Sequence, residues 1–227
     1  FEAVRASMRD AIARFERHVF EQVDLALTSG LRTTALDGHD VAPREIAFEN
    51  DGYHLKGWLH LPPGEGPFPL MITNHGSGIE KGTEDISRPG TASLLMSWGI
   101  ASFLPHRRGY GASDGRATEE GTYRDARAGY DYLVRALGFE TARIAVFGES
   151  MGGGPAVELA LEKPFGSLIL QGAFTSVPDL GAKYYPWMPV HTLARVRFAN
   201  LEKIARVPMP VLLLHSKDDE VVPYSHA

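Results

Sequence analysis

Residues Arg143 to Gly154 read RIAVFGESMGGG, which sets a strand, a tight turn and the start of a helix side by side. Ile144, Ala145, Val146 and Phe147 form an uninterrupted apolar run, the pattern of a strand buried on both faces of a parallel sheet. Gly148-Glu149-Ser150-Met151-Gly152 follows at once and fits G-x-S-x-G, a sharp strand-to-helix turn that presents a serine hydroxyl. From Gly154 to Lys163, GPAVELALEK reads as a helix. The glycines have a steric task, because side chains at positions 148 and 152 would strike neighbouring backbone in so tight a turn. The turn holds Ser150 at the carboxyl end of its strand, beside the positive end of the helix. Glycine and serine also populate ordinary loops, so the motif alone allows a merely structural turn. The flanking strand and helix make Ser150 the candidate nucleophile.

Outward from this centre, strands and helices alternate. Ile46 to Phe48 and Tyr53 to Leu61 read as strands joined by Asn50-Asp51-Gly52, a hairpin signal. Leu70 to Thr73 is a buried strand that ends in NHGSG, Asn74 to Gly78. Thr91 to Trp98 is a helix stopped by Gly99, and Ile100 to Leu104 is the next strand. The Gly-rich loop RRGYGASDG, Arg107 to Gly115, leads to a long helix, Glu119 to Leu137. Ser167 to Gln171 and Pro210 to His215 are strands, with an aromatic-rich segment, 174–207, between them. This alternation predicts an α/β fold: a mainly parallel sheet with helices on both faces, its reactive groups at the strands' carboxyl ends. Residues 1–35 stand apart. There Val4, Met8, Ile12, Phe15, Val19, Val23 and Leu27 recur at helical spacing, which predicts an amphipathic N-terminal helix. Its apolar face packs on the body, covers the site or supports a homo-oligomer, and the sequence leaves all three open.

The 227 residues suffice for one such domain over 36–227, with the helix as an addition. A net charge of −5, without runs of one sign, provides no footprint for nucleic acid or an anionic membrane. The absence of cysteine excludes disulfides, thiolate nucleophiles and cysteine-based zinc sites. The histidines show no H-x-H or H-E-x-x-H spacing, so no metal is expected. No apolar stretch approaches the roughly 18 residues of a membrane span. A cytoplasmic protein is the expectation, although a chain that starts at Phe1 leaves a preceding signal or anchor open.

NHGSG, RRGYGASDG, GESMG and HSKDDEVVP (His215 to Pro223) together resemble the α/β-hydrolase superfamily, in the order that family carries them. The resemblance covers about Ile46 to the C-terminus. GESMGGGPAVELAL and HSKDDEVVP are most similar to a small-lid branch with Bem46-like and dipeptidyl-aminopeptidase-like members. The resemblance implies an α/β-hydrolase fold with 174–207 as a short lid, and a serine hydrolase that needs no cofactor. Such an enzyme cleaves carboxylic esters or related small acyl substrates through an acyl-serine intermediate. An amidase or aminopeptidase of the same fold, and a non-catalytic binding protein without a base, are the alternatives.

Acyl transfer needs a nucleophile, a base for its proton, an acid to orient that base, and donors for the oxyanion. Ser150 is the first. The backbone N–H of Met151 is one oxyanion donor by motif, and the resemblance places the second at the N–H of Ser77. For the acid, the family's spacing between a strand-end histidine and a proline implies Asp219 over its neighbour Asp218. The base is not in its place: triad order runs Ser, Asp, His, and only His226 follows Asp219. His226 reads better as the start of a helix. The expected base therefore lies beyond Ala227, within about 25–40 further residues at ordinary element lengths. His75 is the rival base, although the family uses this histidine to shape the oxyanion loop. Tyr184, Tyr185 and Trp187 either line an acyl-binding pocket or simply form the core of the lid. Arg107 and Arg108 either meet an anionic substrate or fix the backbone of their own loop.

Overall fold

The computed structural model describes residues 43–76 and 89–227; the helix expected over 1–35 lies outside the described residues. Strands β1 (Arg44–Asn50) and β2 (Tyr53–His60) form the expected hairpin. Asp51 and Gly52 turn between them at φ +53° and +76°, paired left-handed conformations that let a two-residue loop follow the strands' twist. Along β1, Ile46 and Phe48 are buried while Glu45, Ala47 and Glu49 are exposed, the period of a half-buried strand.

Five further strands complete the sheet: β3 (Leu70–Asn74), β4 (Ala101–Pro105), β5 (Ile144–Glu149), β6 (Ser167–Gln171) and β7 (Val211–Leu214). Their order is β1-β2-β4-β3-β5-β6-β7. β1 and β2 pair antiparallel, as do β2 and β4, and every pairing from β4 to β7 is parallel. β4 is buried along its whole length, so both its faces are covered. Helix α1 (Pro89–Ser97) packs on β4. Helix α2 (Glu119–Arg135) buries Tyr123, Ala126, Tyr130 and Leu133, residues spaced three and four apart, and packs on β1 and on α3 (Gly153–Glu162). Thr118 starts α2 by accepting the N–H of Gly121 at 3.1 Å. Between β6 and β7, segment 174–207 carries α4 (Val177–Tyr184), α5 (Val190–Leu193) and α6 (Asn200–Ile204). Among the described residues β7 is a sheet edge, and all of Val211–Leu214 is exposed.

The chain runs from β3 outward to β4, then returns to place β5 on the other side of β3. Open α/β sheets bind ligands at such a reversal, outside the strands' carboxyl ends. Asn74 closes β3 directly opposite Gly148 of β5, so His75, Gly76 and Ser150 meet at that point.

A buried ion pair fastens the hairpin to this body. Arg108 donates Nε and Nη2 to the carboxylate of Asp125 on α2, at 2.7 to 3.1 Å. Its Nη2 also reaches Asp51 of the hairpin turn at 2.8 Å. The side chains of Arg108 and Asp125 are only 5% and 2% exposed. Removing Asp125 leaves the buried guanidinium with Asp51 alone, so the loss should approach the roughly 3–5 kcal/mol of a broken buried pair. We expect Asp125→Ala to lower the unfolding free energy by that order, measured by urea denaturation. Glu45→Ala, which breaks an exposed contact to Lys56 at 2.8 Å, should cost less than about 1 kcal/mol.

Candidate active site

After Glu149 the chain passes through a single 3-10 turn, Ser150–Gly152, and enters α3. Ser150 sits at φ +50°, in the left-handed region that side chains avoid. Glycines make that backbone fit. A Cβ at Gly152 would lie 2.0 Å from the carbonyl oxygen of Asn74, and one at Gly148 would lie 2.8 Å from the Cβ of Ala156. A Cβ at Gly76 would come 3.4 Å from that of Ser150, which sets the end of β3 against the serine. Met151 follows in the turn, and its side chain packs against a second small core of Tyr123, Phe174, Phe198 and Val222. Ser77, the expected second oxyanion donor, lies outside the described residues.

Beneath His75 and Gly76 lies Arg107, only 2% exposed. Its Nη2 donates to the carbonyl oxygens of His75 at 2.9 Å and Gly76 at 3.2 Å. Nδ1 of His75 lies 2.8 Å from the Gly76 oxygen and 2.9 Å from the same Nη2. Tyr110 meets the imidazole edge-on at 5.1 Å and offers its face to the guanidinium at 4.9 Å. Burial, and then the charge of Arg107, push His75 down to about 3. The ring is therefore neutral, and its contacts are the Gly76 carbonyl, Arg107 and Tyr110, which suits a residue that shapes the loop better than a base. Neither side chain fixes the backbone of its own loop: Arg107 bonds the carbonyls after β3, and Arg108 bonds the carboxylates of Asp125 and Asp51.

Asp219 stands at the turn after β7. Its Oδ1 accepts the N–H groups of Val221 at 2.9 Å and Val222 at 2.8 Å. Its Oδ2 faces the end of β6, where a Cβ on Gly172 would be 3.6 Å away. Asp218 is exposed, and its N–H is donated to the Ser216 hydroxyl at 3.2 Å. His215 lies 3.7 Å from Asp219, yet its Nε2 faces the carbonyl of Val222 at 2.8 Å and so donates there. Of the aromatic candidates, Tyr184 turns its hydroxyl to the carbonyls of Glu220 at 3.1 Å and Val221 at 2.6 Å, tying α4 to the acid loop. Tyr185 and Trp187 form an edge-to-face pair at 6.4 Å on the surface, with Trp187 77% exposed.

Sequence reasoning missed what holds segment 174–207 down. The carboxylate of Glu119, in the first turn of α2, accepts the N–H of Arg197 at 2.6 Å and of Phe198 at 3.0 Å. It also takes the hydroxyl of Tyr123 at 2.7 Å. Phe198 then lies across Gly154, where a Cβ would come 2.2 Å from its ring. The one available signal was the glycine in the first turn of α3, which announces a close approach without saying by what.

The described histidines have other engagements. His54 pairs with Asp114 at 3.2 Å, and His60 and His106 are buried. His191 faces Asp179 at 3.8 Å, and Nδ1 of His226 takes the N–H of Thr175 at 3.3 Å. Among the described residues, none of them is hydrogen-bonded to Ser150. Among those residues, too, no group of three or more His, Asp or Glu could hold a metal ion, and no helix is long and apolar enough to cross a membrane.

Comparison with known proteins adds a lineage to this geometry. Residues 87–201 match a family described as Serine aminopeptidase, S33. An uncharacterised protein of Mycobacterium tuberculosis is 37% identical over 185 residues, a stretch that covers 80% of this chain and 64% of the relative. The alpha/beta hydrolase domain-containing protein WAV2 of Arabidopsis thaliana is 28% identical over 78% of this chain and 61% of its own length. The chain thus spans less than two thirds of either relative. Among solved structures, an alpha-beta hydrolase from Vibrio vulnificus superposes with a TM-score of 0.65 at 23% identity, over 87% of this chain and 68% of that one.

The buried imidazoles make stability depend on pH. Burial holds His60, His75 and His106 below the ordinary 6.5, whereas in the unfolded chain they titrate near that value. Below pH 6.5 the unfolded chain takes up protons that the folded one refuses, so stability falls, and for His75 it keeps falling until about pH 3. We expect the urea midpoint to drop steadily as pH is lowered through this window. His75→Gln should flatten the dependence by up to about 1.4 kcal/mol per pH unit.

Proposed function

Because this chain belongs to the α/β-hydrolase superfamily, we propose that it is a serine hydrolase that cleaves carboxylic esters or related acyl compounds through an acyl-serine intermediate. The observation that carries this reading is the left-handed backbone of Ser150, wedged among glycines at the point where the strand order reverses. Such a conformation costs on the order of 1–3 kcal/mol and persists where surrounding structure over-determines it, which concentrates it at sites of chemistry. In this reading Ser150 Oγ attacks the acyl carbonyl, and the N–H groups of Met151 and Ser77 receive the oxyanion. Asp219 orients the base and stabilises the imidazolium that forms; the base itself is a histidine outside the described residues. The imidazolium then protonates the departing alcohol, and water releases the acyl group by the same steps in reverse.

One neighbouring reading has an observation behind it. The family's description names an aminopeptidase, and an amine can leave from the same constellation by taking the same proton. Comparing turnover of an ester with that of an aminoacyl amide separates ester cleavage from amide cleavage.

A fluorophosphonate probe on the full-length protein decides whether there is chemistry at all. We expect a single covalent label on Ser150. Ser150→Ala should keep the wild-type melting temperature while hydrolysis of p-nitrophenyl acetate falls by about 10⁶-fold, the loss typical when a triad nucleophile is removed. A wild-type protein that takes no label and turns over no ester sinks the catalytic reading.

The acid can be tested separately. Asp219→Asn should lower kcat by roughly 10⁴-fold, because an amide can neither hold the imidazole tautomer nor stabilise its charge. Asp218→Asn should stay within a factor of about three. If these two effects were exchanged, the acid would be Asp218.

A further inference from the structure

We propose that Glu119 is a positioning residue for the nucleophile turn: it holds Phe198 in a strained conformation whose ring sets the start of α3, and with it the N–H of Met151. The inference rests on the serine-hydrolase reading of Ser150. Its starting point is a second backbone outlier. Among the described residues, three that are not glycine have a positive φ. Asp51 belongs to the hairpin turn and Ser150 to the elbow; the third is Phe198, at φ +40°. A bulky aromatic residue avoids this region and stays there only when its surroundings hold it.

Glu119 is what holds it. Its Oε2 accepts the N–H of Arg197 at 2.6 Å and its Oε1 that of Phe198 at 3.0 Å, so one carboxylate grips both peptides that lead into the strained residue. Bonds to an ionised acceptor are about twice as strong as neutral ones. Oε1 also takes the hydroxyl of Tyr123 at 2.7 Å, and Lys203 donates to that hydroxyl at 3.2 Å while pairing with Glu158 of α3 at 2.6 Å. The grip is therefore tied to α2 and α3 alike.

The strained residue delivers a contact. Its ring is buried and meets Tyr123 edge-on at 5.8 Å. It lies so close to Gly154 that a Cβ there would come 2.2 Å from it, which leaves no room for a side chain. The side chain of Met151 packs in the same cluster. The turn that bears Ser150 and Met151 is thus bounded at Gly152 by the carbonyl of Asn74 and at Gly154 by a ring that Glu119 holds. If Phe198 relaxed to an ordinary φ, its ring would leave Gly154 and one boundary of the turn would go with it. An N–H that receives a developing negative charge stabilises it only while its aim is kept, and a displacement of about 1 Å can cost on the order of 100-fold in rate.

The test uses Glu119→Gln and Gly154→Ala in the full-length protein. Glutamine keeps the shape but turns an amide N–H toward one of the two backbone donors. Alanine leaves Glu119 untouched and pushes the ring away from α3. p-Nitrophenyl acetate reports turnover, a fluorophosphonate endpoint counts competent sites, and calorimetry gives the melting temperature. For each variant we expect kcat per labelled site to fall about tenfold with KM within about threefold. The rate of fluorophosphonate labelling should fall in parallel, because phosphonylation develops charge on an oxygen facing the same N–H. Glu120→Gln alters the exposed carboxylate next door and should match wild type; an equal loss there would make the effect one of charge and overturn the proposal. A merely structural role predicts a lower melting temperature and fewer labelled sites with kcat per site unchanged, and that outcome overturns it too. Both folded variants must show the loss, and a loss in one alone also overturns it. If one variant does not fold, the other decides by the same measure; if neither folds, Glu119 holds the fold rather than the turn and the proposal fails. A wild-type protein that neither labels nor turns over overturns the serine-hydrolase reading and this inference with it.

Discussion

No side chain fits between Gly152 and the carbonyl of Asn74, and the rest of the site depends on that contact. Asn74 and Gly148 are paired across β3 and β5, so the chain leaving β5 must cross the end of β3 before α3 can begin. Glycine at 148 and 152 lets it cross, and Ser150 between them takes up the turn at φ +50°. The serine is held half-buried at the strand reversal because the backbone around it has nowhere else to go. Its neighbour at the end of β3, Gly76, is drawn in by the same geometry, so that a Cβ there would lie 3.4 Å from that of Ser150.

Around this contact the molecule uses buried charge in two ways. Arg108 joins α2 and the hairpin turn through carboxylates, a bond between elements. Arg107 spends its hydrogen bonds on the backbone of a single turn. Asp219 follows a related logic, with two backbone N–H groups fixing one oxygen and leaving the other directed to the end of β6.

A second, small core connects distant parts of the chain. Met151 from the turn after β5, Val222 from the loop after β7, Tyr123 from α2 and Phe174, Val177 and Phe198 from segment 174–207 pack together. Glu119 reaches over from α2 to take the N–H groups of Arg197 and Phe198, and Tyr184 reaches from α4 to the carbonyls of Glu220 and Val221. Segment 174–207 is thereby packed against both the Ser150 turn and the Asp219 loop, so a change in the packing of one is felt by the others.

The sequence by itself determined the parts whose signal is local. Apolar runs at Ile144–Phe147 and Leu70–Thr73, the Asn50-Asp51-Gly52 turn and the long face of α2 are short-range patterns, and the observed elements match them to within a few residues. The elbow was legible for the same reason, since strand, glycine-flanked serine and helix are contiguous. Tertiary structure alone decided the rest. Nothing near Glu119 says that it will meet Phe198, and nothing near Tyr184 says that its hydroxyl will hold the acid loop rather than face a substrate. The division of labour between Arg107 and Arg108 is equally silent in RRGYG, because it depends on which side of the loop α2 and the end of β3 arrive. Propensity and periodicity are written into neighbouring residues, whereas a buried hydrogen bond is chosen by whichever distant segment the sheet order brings to it.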